Sequence, residues 1–144
     1  MDVFNNLLQK EKKLGFPLYV TSREITRIYK PFLDKYDLTY TQYLTMVTLF
    51  DIDVVNVKAL GKMLYLDSGT LTPLLIKLEK KGYLTRTRLA GDNRYLNISL
   101  TEKGRALMPE LETINDEVMN LISATEEEMT VLNSLMEKML KIKE

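Results

Sequence analysis

Apolar residues recur at helical spacing along most of the chain and change to strict alternation in one region, between residues 83 and 100. After a mixed, weakly amphipathic lead (Leu7, Leu8, Leu14), the series Leu18, Ile25, Ile28, Tyr29, Phe32 and Tyr36 predicts a long helix. Pro17 suits its first turn, where a missing N–H costs nothing, whereas Pro31 inside the pattern predicts a bend or break. Thr39 or Thr41 can cap the next helix, with Tyr43, Leu44, Val47 and Phe50 inward. Residues 51–56 form a polar connection with a β-branched pair, compatible with a very short strand.

Two short helices follow. Residues 56–64 turn Val57, Leu60 and Leu64 inward, and after a tight connection Asp67-Ser68 opens LYLDSGTLTPLLIKLEKKG, with Leu71, Leu74, Leu75 and Leu78 on one face. Gly82 closes it, with Lys80 and Lys81 at the negative end of the helix dipole. Small hydroxyl residues lead and cations follow, as in a helix that inserts its front end into a DNA major groove. Periodicity by itself is equally consistent with an ordinary core helix.

YLTRTR (83–88) and YLNISL (95–100) alternate as half-buried strands do, and the segment between them carries Gly91, Asp92, Asn93 and Arg94. A cationic hairpin directly after a helix pair reads as a wing suited to a minor groove. Beyond it, Leu107, Leu111, Ile114, Val118 and Leu121 recur at spacings of four and three. Thr125 with Glu128 forms a capping box for a last helix whose inward side is Met129, Leu132, Met136 and Met139. Heptad spacing in both helices predicts packing within one chain or between two. Dimerisation is favoured because one winged helix reads few bases. The fold class is therefore mainly α with a small β-hairpin: a winged helix-turn-helix (39–100) flanked by dimerisation helices (1–38 and 101–144) in one domain.

Composition narrows the chemistry. The 144 residues contain no cysteine and no histidine, which removes disulfides, thiolate sites and the commonest general base and metal ligand. No enzyme activity, cofactor or metal is expected. No apolar run reaches the roughly 18 residues of a membrane span, and a cytoplasmic location is expected. The net charge is zero, yet residues 56–100 hold eight Lys/Arg against three acids, while 101–144 hold five against ten. The basic middle fits a polyanion partner, double-stranded DNA. The alternative class is a winged-helix module that binds only protein.

The order helix, helix, LYLDSGTLTPLLIKLEKKGYLTR, the D-x-R of Asp92 to Arg94, and ISLTEKG (98–104) resembles the MarR family of winged-helix regulators. LYVTSREITRIYKPFLDKYDLTYTQYL (18–44) with YLDSGTLTP is similar to its organic-hydroperoxide branch, OhrR. The resemblance spans about residues 14 to 104 and implies a homodimeric repressor on a pseudo-palindromic site. It implies that Ser68, Thr70 and Thr72 face bases or phosphates, that Lys77 reaches phosphate, and that Arg86 flanks the wing base. It also implies that Arg94 enters the minor groove, positioned by Asp92. Ser68 and Thr70 have the alternative of serving only as helix caps.

The branch's reactive cysteine lies in a Leu-Cys-Phe context that here reads Leu14-Gly15-Phe16, so no sulfenic acid can form at this position. Tyr19, Tyr29 and Tyr40 match tyrosines that surround that thiol. With Gly15 they mark a possible pocket at the dimer interface for a small organic ligand. The missing thiol is also compatible with constitutive DNA binding or with an engineered glycine at position 15; a signal carried by oxidation of one of the eight methionines is a weaker option, because most of these sit at core spacing.

Overall fold

In the computed structural model, which describes residues 14–89 and 92–141, in backbone only at 89 and 92–95, six helices surround a three-stranded sheet. The long first helix α1 (Gly15–Leu33) is followed by a 3-10 turn (Asp34–Tyr36) and α2 (Tyr40–Ile52). Strand β1 (Val54–Asn56) leads into α3 (Val57–Leu64) and α4 (Ser68–Lys80), then β2 (Leu84–Leu89), β3 (Asp92–Leu100), α5 (Glu102–Ile122) and α6 (Glu126–Lys141). The sheet is antiparallel in the order β1-β3-β2. Val54 to Asn56 is thus a true strand, pairing with Asn97 to Ser99.

Side chains set most helix starts. Thr39 and Gln42 form a reciprocal capping box on α2, and Asn56 caps α3 by accepting from the Ala59 N–H at 2.8 Å. Thr125 and Glu128 form the box expected for α6. Each satisfies amide donors that a helix N-terminus leaves without partners.

Pro31 does not break α1. It lies in the last turn, where one hydrogen bond is forfeited and the helix ends within two residues, and buried Leu33 anchors that end in the core. The expected inward face of α2 is also too narrow. Tyr43 is buried as predicted, but Met46 and Leu49 are the fully enclosed residues and Gln42 and Thr45 are buried too, while Leu44, Val47 and Phe50 are only partly covered. This helix contacts α1, α4, α5 and the sheet, and a helix surrounded on several sides shows no single apolar stripe. Its buried Thr45 hydroxyl donates to the Thr41 carbonyl at 2.8 Å.

Two glycines set corners around the hairpin. Gly82 has φ +78°, the left-handed region that ends α4. Gly104, in the first turn of α5, lies so close to the Tyr83 carbonyl that a Cβ there would overlap it. Thr101 fixes the same corner, its hydroxyl donating to the Gly82 carbonyl at 2.6 Å and accepting from the Gly104 N–H at 3.1 Å.

Candidate nucleic-acid interface

Helix α4 buries Leu71, Leu74, Leu75 and Leu78, the four positions read from periodicity, and leaves Ser68, Thr70, Thr72 and Lys77 exposed. Its N-cap is Asp67, whose Oδ1 accepts from the Thr70 N–H at 2.9 Å and whose Oδ2 accepts from the Thr70 hydroxyl at 3.2 Å. These bonds hold the Asp67 carboxyl below its usual range, the backbone bond from Thr70 contributing most. Capping therefore belongs to Asp67, and Thr70 spends its hydroxyl proton on that cap. Ser68 stands at the first helical position and Thr72 one turn later, both toward solvent.

The turn between α3 and α4 closes on Tyr65, which takes a left-handed conformation at φ 53°. At the far end of α4, Lys81 pairs with Asp37 Oδ2 at 2.9 Å and also donates to the Asp37 carbonyl. Lys103 Nζ donates to the Lys81 carbonyl at 2.7 Å. Helix α4 is therefore strapped to the corner between α1 and α2 and to the start of α5.

On the hairpin, Arg86 is held by Glu79 of α4, with Nε to Oε2 at 2.8 Å and Nη2 to Oε2 at 2.7 Å. Its guanidinium is thus turned to the neighbouring helix, a partner that the sequence reading did not identify. No helix spacing rule joins residues seven apart across a helix-to-strand corner. The one available signal was Glu79 as the lone acid between Asp67 and Asp92. Pairing of β2 with β3 continues to Leu89 and Asp92, with an irregularity between Arg88 and Leu89. The polar segment expected to be hairpin tip is thus largely strand, since backbone pairing is indifferent to side-chain polarity. The side chains of Asp92 and Arg94, and with them the expected pair, lie outside the described residues.

The four residues of the possible ligand pocket do not meet within one chain. Tyr29, Tyr40 and Tyr43 form an aromatic cluster, with ring centroids 4.9 Å apart for Tyr29 and Tyr40 and 5.7 Å for Tyr29 and Tyr43. Gly15 lies fourteen residues before Tyr29 on the same helix, roughly 21 Å away at 1.5 Å per residue, and a Cβ there would touch nothing. Tyr19 is exposed and accepts from Arg23 at 3.1 Å. Tyr43, which the sequence reading placed in the core without linking it to this cluster, has its hydroxyl pushed up to about 12, by burial first and then by Tyr29 and Tyr40.

A second surface stands out at the chain ends. Leu14, Phe16, Leu18 and Tyr19 at the start of α1 are exposed, as are Leu121 and Ile122 at the end of α5. Helix α6 buries no residue, and Val131, Leu132, Leu135, Met136 and Leu140 all face solvent. Among the described residues no helix is long and apolar enough to cross a membrane, and no cluster of acidic side chains could hold a metal ion.

Comparison with known proteins bears on this architecture. The family model for the transcriptional regulators SarA/Rot matches residues 27–111. The HTH-type transcriptional regulator SarZ of Staphylococcus aureus (strain USA300) is 46% identical over 136 residues, covering 94% of this chain and 90% of SarZ. Among solved structures, AbfR in its reduced form bound to DNA superposes with a TM-score of 0.80 at 29% identity, covering 96% of this chain and 98% of that one. A MarR transcriptional regulator from Methanosarcina mazei Go1 gives a TM-score of 0.79 at 28% identity, covering 90% and 97%. The MarR-like winged-helix architecture expected from the sequence is thus present.

Proposed function

The chain belongs to the SarA/Rot family of transcriptional regulators, and we propose that it is a homodimeric repressor that binds a pseudo-palindromic DNA site. The observation that carries this reading is α4: its leucine face is buried, its Ser68, Thr72 and Lys77 side is exposed, and a hairpin rich in arginine follows it. Recognition helices enter successive major grooves about one turn apart, and the wings reach the flanking minor grooves through Arg94, with Asp92 beside it. Thr70 contributes its hydroxyl oxygen as an acceptor. That the structural relative AbfR is solved bound to DNA supports DNA as the partner of this fold.

The dimer forms through the exposed apolar residues of α1, α5 and α6, which would otherwise be a large water-facing patch. Across that interface, Gly15 and Tyr19 of one protomer and Tyr29 and Tyr40 of its partner come together around a small organic ligand. With no cysteine in the chain, the site does not sense peroxide through a thiol. A ligand there acts by favouring one separation of the two reading heads over another.

Selection of duplexes from a random-sequence library tests the proposal. An inverted repeat with half-sites about one helical turn apart is the expected product. Recovery of unrelated sequences from a monomeric protein would overturn it.

A further inference from the structure

Strand β2 lies at an outer edge of the sheet, with β3 on its other side. The Thr101 N–H donates to the Tyr83 carbonyl, and in the register that follows, the amide of Arg86, opposite Ile98, points away from β3. An edge amide of this kind needs a partner from outside the sheet. Glu79 of α4 supplies it, Oε1 accepting from the Arg86 N–H at 3.3 Å while Oε2 accepts from the Arg86 guanidinium. One carboxylate thus takes both the backbone and the side chain of a single strand residue.

The two elements joined here have separate tasks in the proposed docking, since α4 carries the major-groove face and β2 leads to the wing. Glu79 is also the lone acid between Asp67 and Asp92, in a segment that meets a polyanion. On Coulombic grounds alone it weakens that encounter. Its carboxylate has both oxygens committed to Arg86, and that commitment is what it contributes.

We infer that Glu79 is a positioning residue for DNA recognition: by holding Arg86 and the β2 edge, it fixes the offset between the reading helix and the wing. The inference rests on the DNA-binding reading above. It assigns Arg86 to the tie between helix and strand rather than to direct contact with DNA.

The test compares wild type, Glu79→Gln and Arg86→Ala on two duplexes of equal length: one enriched by the wild-type protein from a random-sequence library, and a scrambled control. Glu79→Gln binds the enriched duplex about tenfold more weakly, the scale of a lost coupling between elements. It binds the control as tightly as wild type or more tightly, because a negative charge has gone. That opposition of signs is one that loss of a charge cannot produce. Glu79→Asp, which keeps the charge and shortens the reach, falls between wild type and Glu79→Gln on the enriched duplex, with an unchanged melting temperature. Glu79→Gln binding the enriched duplex as well as wild type overturns the inference. So does an Arg86→Ala variant that loses affinity for both duplexes equally, since Arg86 would then serve DNA directly. A wild-type protein that enriches no duplex overturns the DNA reading itself and the inference with it.

Discussion

The Tyr29 hydroxyl donates to Asn115 Oδ1 at 3.0 Å across 86 residues of sequence, tying α1 to α5. Both helices lead to the exposed apolar surface, so this bond ties together the two elements that carry much of it. Tyr29→Phe keeps the ring contacts with Tyr40 and Tyr43 and removes only the hydroxyl. It is expected to lower stability by about 1 kcal/mol, the usual net worth of one such bond. Chemical denaturation of the two proteins checks this, and an unchanged midpoint would mean that Asn115 is equally well satisfied by water.

Alkaline stability should depend on Tyr43. Its folded hydroxyl titrates near 12 against an ordinary 10.0, chiefly because burial disfavours the phenolate. The folded state therefore holds the proton more tightly than the unfolded chain. The contribution is fully present below pH 10 and is lost as pH rises through about 12. Melting temperatures measured between pH 9 and pH 12 should fall more steeply in wild type than in Tyr43→Phe, which has no hydroxyl to titrate.

Gly104 tests the corner between hairpin and α5. A methyl group there meets the Tyr83 carbonyl, which is backbone and cannot swing aside. Gly104→Ala should cost roughly 1–3 kcal/mol, as overpacked sites do, even though alanine is the better helix former. A melting temperature at or above that of wild type would contradict the close approach.

Leu135 tests the self-association surface. It is 50% exposed on a helix with no buried residue in the single chain, so a charge there leaves the protomer core untouched. Leu135→Glu is expected to weaken dimerisation by about 2 kcal/mol or more. The helical signal should persist at concentrations where the protein becomes monomeric. Sedimentation across a dilution series reads the effect, and an unaltered dimer would remove α6 from the interface.

Local chemistry was legible in the sequence wherever a rule of short range applied. Asp67 as the start of α4, the leucine stripe from Leu71 to Leu78, Gly82 as its stop and the Thr125 capping box are all in place, because caps and periodicity act within one or two turns. The burial of α2 is not legible in its periodicity because Met46 and Leu49 are enclosed by elements far away in sequence. Arg86 illustrates the same limit for the candidate site. Its pairing with Glu79 crosses a helix-to-strand corner that no periodic pattern describes, so that contact was not legible in the sequence. Gly15 and Tyr29 read as neighbours by analogy, yet one helix holds them apart within the chain.

Binding of duplex DNA through a cationic winged-helix surface would show itself in the salt dependence of affinity. A reader that neutralises several phosphates releases their counterions, so log affinity should fall linearly with log salt, with a slope of about −0.9 per phosphate contact. For a dimer using Lys77 and Arg94 of both protomers, four contacts predict a slope of about −3.6, and affinity falling by more than a hundredfold between 50 and 200 mM salt. A slope near zero, or no duplex binding at 50 mM salt, would contradict the claim and leave a winged helix that serves protein partners alone.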